Sequence, residues 1–198
     1  MIPTEILIAF GISSFFTVLF PLLLLVLLAI RRAISLRPLL IGVLAFFVSQ
    51  ILLRIPLLSI LSTQGWFLTF AQQQMLLYLI LLSASAGLFE ESARLLGAKC
   101  FCKGRRSYRD AVSFGLGHGL CEVVLLVGLS SIGNLLYCVM INSGSLGAAA
   151  SGSAEMLQQI TAALASVSTA SIYLGIVERI SAVLFHVFAS VLIFYGVN

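Results

Sequence analysis

Apolar residues in this chain come in long runs, broken by short polar clusters rather than alternating with them. Five runs stand out, at about 5–30, 39–61, 70–96, 110–129 and 172–197, each near the ~20 residues that carry a helix through a bilayer. A backbone with no water to bond must satisfy its own N–H and C=O groups, so such runs fold as helices. The predicted fold is all-α, a polytopic membrane protein of about five spanning helices. In the stretch at roughly 130–171 the pattern loosens, punctuated by SSIGN, NSGSLG and SGS. Its pieces LLYCVMI and EMLQQITAALASV read as short interfacial helices, and Asn142, Ser143, Glu155, Gln158 and Gln159 argue against a further span. No repeat or low-complexity tract divides the chain, so residues 1–198 read as one integral membrane domain.

Composition excludes the soluble alternative. Hydrophobic residues make up 61% of the chain and charged residues only 9%, against about 25% charged in a soluble domain. The first run is too long for a signal-peptide core, and its positive charges follow it, so it reads as a retained helix.

Charge sets the expected orientation. Arg31, Arg32 and Arg37 follow the first run, and Arg94, Lys99, Lys103, Arg105, Arg106 and Arg109 gather around the third run's end, nine of the eleven Lys/Arg. The positive-inside rule puts both basic loops in the cytoplasm and the N-terminus outside. The net charge of +4 then reflects topology and contact with anionic membrane lipids, not nucleic acid. Cys100 and Cys102 form a Cys-x-Cys in a reducing compartment with no second pair nearby, and Cys121 and Cys138 read as small helix fillers.

Ionisable groups inside a membrane are expensive and mark function by default. Seven stand out: Glu90, Glu91, Arg94, His118, Glu122, Glu178 and His186, including both histidines of the chain. Glu90 and Arg94 are four residues apart and can pair on one face, leaving Glu91, rotated by about 100°, to point elsewhere. His118 and Glu122 also share a face, as do Glu178 and His186 within about 80°. Counted at about 1.5 Å per residue from the cytoplasmic ends, Glu91 lies roughly 8 Å deep, His118 roughly 12 Å, and Glu122 and His186 roughly 17 Å. Three helices thus bring carboxylates and two imidazoles to one level, with Gly115, Gly117 and Gly119 permitting close approach of a neighbour.

Two chemistries suit that set, and both hydrolyse a peptide bond. In one, His118, His186 and a carboxylate such as Glu122 hold a metal, with zinc the candidate, and a further glutamate acts as base. In the other, a glutamate alone activates water and the histidines hold the developing oxyanion. In either, Glu91, the acid not neutralised by Arg94, is the expected base. Blander roles stand beside these: Glu90–Arg94 as structural glue, Glu122 as an orienter of His118, and Glu178 with Arg179 as an interfacial anchor.

E-E-x-x-R at Glu90–Arg94, F-x-x-x-H at Phe114–His118 and a later histidine on a third helix resemble the CPBP/Abi superfamily of intramembrane proteases, which includes the CAAX prenyl endopeptidases and PrsW-like proteins. The stretches FEESAR, SFGLGHGLCE, LLVGLS, MINSG and ERISAVLFH resemble its YhfC branch in order and spacing, over roughly residues 85–198. The resemblance implies a protease-like core over about 70–198 that cleaves a membrane-embedded or membrane-proximal peptide near the cytoplasmic face. Glu90 and Glu91 would then carry the water-activating carboxylate and Arg94 would hold it, with His118 and His186 as oxyanion partners or metal ligands. Members of the group typically add a C-terminal helix with H-x-x-x-D or H-x-x-x-N; here the sequence stops at FYGVN, so a truncated chain or a site short of one component is expected. A non-catalytic, immunity-type binding protein and a proton-coupled transporter remain alternatives, the transporter weakened by the lack of a repeat.

Overall fold

The structure is a computed structural model that describes residues 1–146 and 154–197, and among them there is no β-strand. Among the described residues five helices are long and apolar enough to cross a membrane: α1 Thr4–Ile30, α2 Leu36–Leu61, α4 Met75–Phe101, α5 Tyr108–Asn142 and α7 Thr169–Gly196. Two shorter ones accompany them among the described residues, α3 Gly65–Gln73 and α6 Ala154–Ala165. The helix α6 matches the segment EMLQQITAALASV, whereas LLYCVMI is the last part of α5. The helix instead continues unbroken through LSSIGN, and a β-carbon on Gly128 would lie 2.5 Å from Val18 of α1. The third run is also divided, since Gln74, at φ −124° and ψ 51°, separates α3 from α4. The SGS cluster lies outside the described residues.

Several spans contain a widened π turn. The amide of Phe20 bonds to the carbonyl of Phe15, Ile55 to Gln50, Cys102 to Gly97 and Leu129 to Val124, each five residues back. Such turns shift the register of a helix and gather at functional positions. The longest, Phe47–Arg54, carries polar residues discussed below.

The chain folds as two compact units, each drawing on both halves of the sequence: 1–30 with 122–182, and 31–121 with 183–198. The first packs Ile2, Ile6, Phe10, Cys138 and Leu164 together. Asn142 closes it by accepting from the Ile2 amide at 2.7 Å and donating to the Ile2 carbonyl at 2.9 Å. The second packs Ala45, Ala98, Cys102, Ala111, Phe114 and Phe194. Within it α2 and α5 cross at glycines: a β-carbon on Gly42 would lie 2.1 Å from the Phe114 carbonyl oxygen, and one on Gly117 2.1 Å from that of Leu39. Small residues at such a crossing let backbones meet where lipid offers no hydrophobic drive.

The two basic loops lie side by side in the second unit. Arg109 donates to the Ile34 carbonyl at 2.7 Å, the Ser35 amide to Ser113 Oγ at 2.8 Å, and Arg37 to the Phe101 carbonyl at 3.1 Å. Arg106 reaches the Val197 carbonyl at 2.5 Å. Arginines here satisfy the end carbonyls of α4 and α7, where cations are also favoured by the helix dipole. Between them Cys102 is buried and Cys100 exposed. Burial, reinforced by the charge of Asp110 and opposed by Arg37 and Arg106, pushes the Cys102 thiol up to about 11. Since the thiolate is the nucleophile, a membrane-impermeant maleimide at neutral pH is expected to label Cys100 and spare Cys102. Labelling that survives Cys100→Ser but vanishes in Cys102→Ser would contradict this packing.

Candidate active site

Helix α4 ends in the sequence FEESARLL, and the structure divides its charges between two partners. Arg94, fully buried, donates from one guanidinium nitrogen to Glu91 Oε1 at 2.5 Å, and from the other to His186 Nδ1 at 2.8 Å. Glu90 instead turns toward the histidines: its Oε2 lies 3.7 Å from His118 Nε2 and 3.9 Å from His186 Nδ1. The expected pairing is therefore reversed. Arg94 bonds Glu91 one residue nearer along the helix, and Glu90 is the inward acid, its side chain 16% exposed against 42% for Glu91.

The two imidazoles, brought together by α5 and α7, have ring centres 4.7 Å apart. Their closeness depends on small residues: a β-carbon on Gly115 would fall 2.5 Å from Val187 Cα, and one on Gly119 3.1 Å from Val183 Cα. Phe46 of α2 packs edge-on against His118, centre to centre 5.4 Å. A guanidinium has only donors, so His186 Nδ1 accepts from Arg94 and a neutral His186 carries its proton on Nε2. His118 is completely buried, and neither of its ring nitrogens has a hydrogen-bond partner among the described residues. A buried imidazole without a hydrogen bond is costly, and its nearest charged neighbour, Glu90 Oε2 at 3.7 Å from Nε2, stands at a distance that a shared ligand would bridge.

Glu90 is itself held. Gln50 Nε2 donates to Glu90 Oε1 at 2.7 Å, and Gln50 Oε1 accepts from Arg54 at 3.1 Å. Arg54 is fixed in turn by Ser85 Oγ at 3.2 Å and the Leu82 carbonyl at 2.7 Å. The guanidinium determines which way the amide faces, so Gln50 presents its NH₂ to Glu90 and leaves Oε2 facing the imidazoles. Neither Gln50 nor Arg54 was among the expected site residues, although Arg54 is an arginine inside the second apolar run, four residues from an amide. Outer partners of this kind are worth about 10–100-fold in metal affinity or activity. Gln50→Leu is therefore expected to cost about that much in cleavage while leaving a folded protein, checked by turnover alongside a thermal-shift trace.

Glu122 and Glu178 go elsewhere. In the other unit, Arg179 donates to Glu122 Oε1 at 2.7 Å and also pairs with Glu178. Of the metal set expected from sequence, His118, Glu122 and His186, the structure brings the two histidines together, and the carboxylate beside them is Glu90. One ligand atom each from Glu90, His118 and His186 lies within 4.8 Å of the other two. Two imidazoles and a carboxylate are a catalytic-zinc donor set with room for a further ligand, and the unpartnered nitrogens of His118 fit such a group.

A family model described as YhfC intramembrane metalloprotease matches residues 16–198. The chain is also 32% identical over 200 residues to the uncharacterized membrane protein YhfC of Bacillus subtilis (strain 168), across 100% of this chain and 78% of the relative. No solved structure matches it. The chain is an integral membrane protein and belongs to the YhfC intramembrane metalloprotease family.

Proposed function

We propose that this protein hydrolyses a peptide bond of a membrane-embedded or membrane-proximal substrate at the Glu90–His118–His186 centre. The observation that carries the reading is the approach of Glu90 Oε2 to both imidazoles, beside a fully buried His118 whose ring nitrogens make no hydrogen bond among the described residues. Glu90, His118 and His186 would hold a divalent ion. When bound, such an ion lowers the pKa of water and polarises the scissile carbonyl. Gln50 keeps the Glu90 carboxylate aimed, Arg94 orients the His186 ring, and Glu91 balances the Arg94 charge. By the positive-inside rule the basic loops lie in the cytoplasm and the N-terminus outside, which puts this chemistry in the cytoplasmic half of the membrane.

A second reading has its own observation. The Arg94 guanidinium lies 2.8 Å from His186 Nδ1, and a cation donating to that nitrogen competes with a metal there. Without a metal, Glu90 takes a proton from water as its oxygen bonds to the carbonyl carbon. His186 Nε2–H donates to the developing oxyanion, and the proton passes to the leaving amine as the C–N bond breaks. Metal content separates the two. The metal reading expects about one zinc-like ion per chain by mass spectrometry, lost in His118→Ala, and activity abolished by a chelator and restored by the ion. Full activity in metal-free protein would leave the glutamate mechanism standing alone.

A further inference from the structure

The helices that position Glu90 also form a cleft. Below the Gln50–Glu90 bond, α2 and α4 part to leave about 330 Å³ lined only by apolar side chains, with Ile41, Ala45 and Val48 on one wall and Ala93, Gly97 and Phe101 on the other. That volume falls within the usual range of ligand pockets. On α4, Ala93 stands one turn from Glu90, so the cleft continues the stripe of the helix that carries the acid. Its far end is cationic. Arg37, exposed and one turn before Ile41, donates to the carbonyl of Phe101, a residue of the cleft wall, at 3.1 Å.

The geometry points to this cleft as the docking site for an apolar segment of the peptide substrate that carries an acidic residue at its end nearest the basic loops. The inference rests on the hydrolytic reading above and adds a substrate class to it. Apolar side chains fill the space between α2 and α4, and the acidic residue meets Arg37. The bond to be cut is thereby delivered one turn further along α4, at Glu90. Charge does the sorting: a segment ending in lysines meets like charge at the same mouth. Gly97 keeps the cleft in register with the core, since a side chain there would press on the Phe114 ring at 2.7 Å.

Two synthetic peptides test this. They share a Leu/Ala core of about 20 residues with one photo-reactive position, and end in either two aspartates or two lysines. The full-length His118→Ala protein is reconstituted with each in phosphatidylcholine vesicles and illuminated, so capture is read without hydrolysis. Adducts are expected on residues of the cleft, with the aspartate peptide captured about tenfold better, a preference near 1.4 kcal/mol. Val48→Trp, at a position 42% exposed and therefore free of core damage, is expected to remove most of the capture. In protein with His118 intact, the same substitution raises KM with little change in kcat. Equal capture of the two peptides, adducts elsewhere, or adducts only to phosphatidylcholine would overturn the inference. Capture without cleavage by the intact protein would sink the hydrolytic reading and leave the cleft standing. Cleavage indifferent to Val48→Trp would do the reverse.

Discussion

Glu90→Gln is expected to lower the cleavage rate by about 10²–10⁴-fold, the range for loss of a positioned acid–base group, while Glu91→Gln stays within about tenfold of the parent. The contrast follows from where two adjacent carboxylates point. Glu90 Oε2 faces His118 and His186, and its other oxygen is held by Gln50. Glutamine keeps the shape and can still accept from Gln50, but it loses the negative charge that a metal or a water proton requires. Glu91 is more exposed and serves Arg94, to which a glutamine oxygen can still accept. Turnover of a membrane substrate by the two variants, each shown to be folded, decides the matter. A reversed order, with Glu91→Gln dead and Glu90→Gln active, would return the working carboxylate to the residue that helix spacing first favours.

Gly117→Val is expected to destabilise the second unit by about 3 kcal/mol or more, at or beyond the upper end for overpacked cores. A β-carbon there meets backbone, the Leu39 carbonyl at 2.1 Å, and no side chain can turn aside to relieve it. The neighbouring residue is His118, so the same displacement moves an imidazole away from Glu90. Gly133 provides the comparison, since nothing lies within 4 Å of a β-carbon added to it. Gly133→Ala should hold or gain stability, by up to about 1 kcal/mol from helix propensity. Thermal unfolding in detergent of the two variants reads the difference, and a Gly117→Val transition at the parent temperature would contradict the crossing of α2 and α5.

The five spans were legible because a bilayer imposes length and apolarity so strongly that composition and run length suffice. The convergence of FEESAR with His118 and His186 was legible for a related reason: ionisable residues at one depth in three helices have few places to go. The glycines around His118 announced a close approach, and the structure puts Val187 and Leu39 there. What did not follow was rotation. Positions three and four residues apart both reach a given side chain, so spacing alone cannot say whether Arg94 takes Glu90 or Glu91. Packing of α4 against α2 decides it, through Gln50. Glu122 was placed with His118 by the same four-residue rule, yet its carboxylate bonds Arg179, a partner distant in sequence that no helical period reveals. Arg54 carried a readable signal, a lone arginine inside an apolar run. Its role, turning the Gln50 amide toward Glu90, depends on contacts with Ser85 and Leu82 across helices.

The most direct test of the Glu90–His118–His186 centre is to map new peptide termini in membranes incubated with reconstituted protein. Termini within or beside apolar segments are predicted to appear with the parent and with Glu91→Gln, and to be missing with Glu90→Gln and with His118→Ala. The same termini at the same rate from His118→Ala would contradict the account.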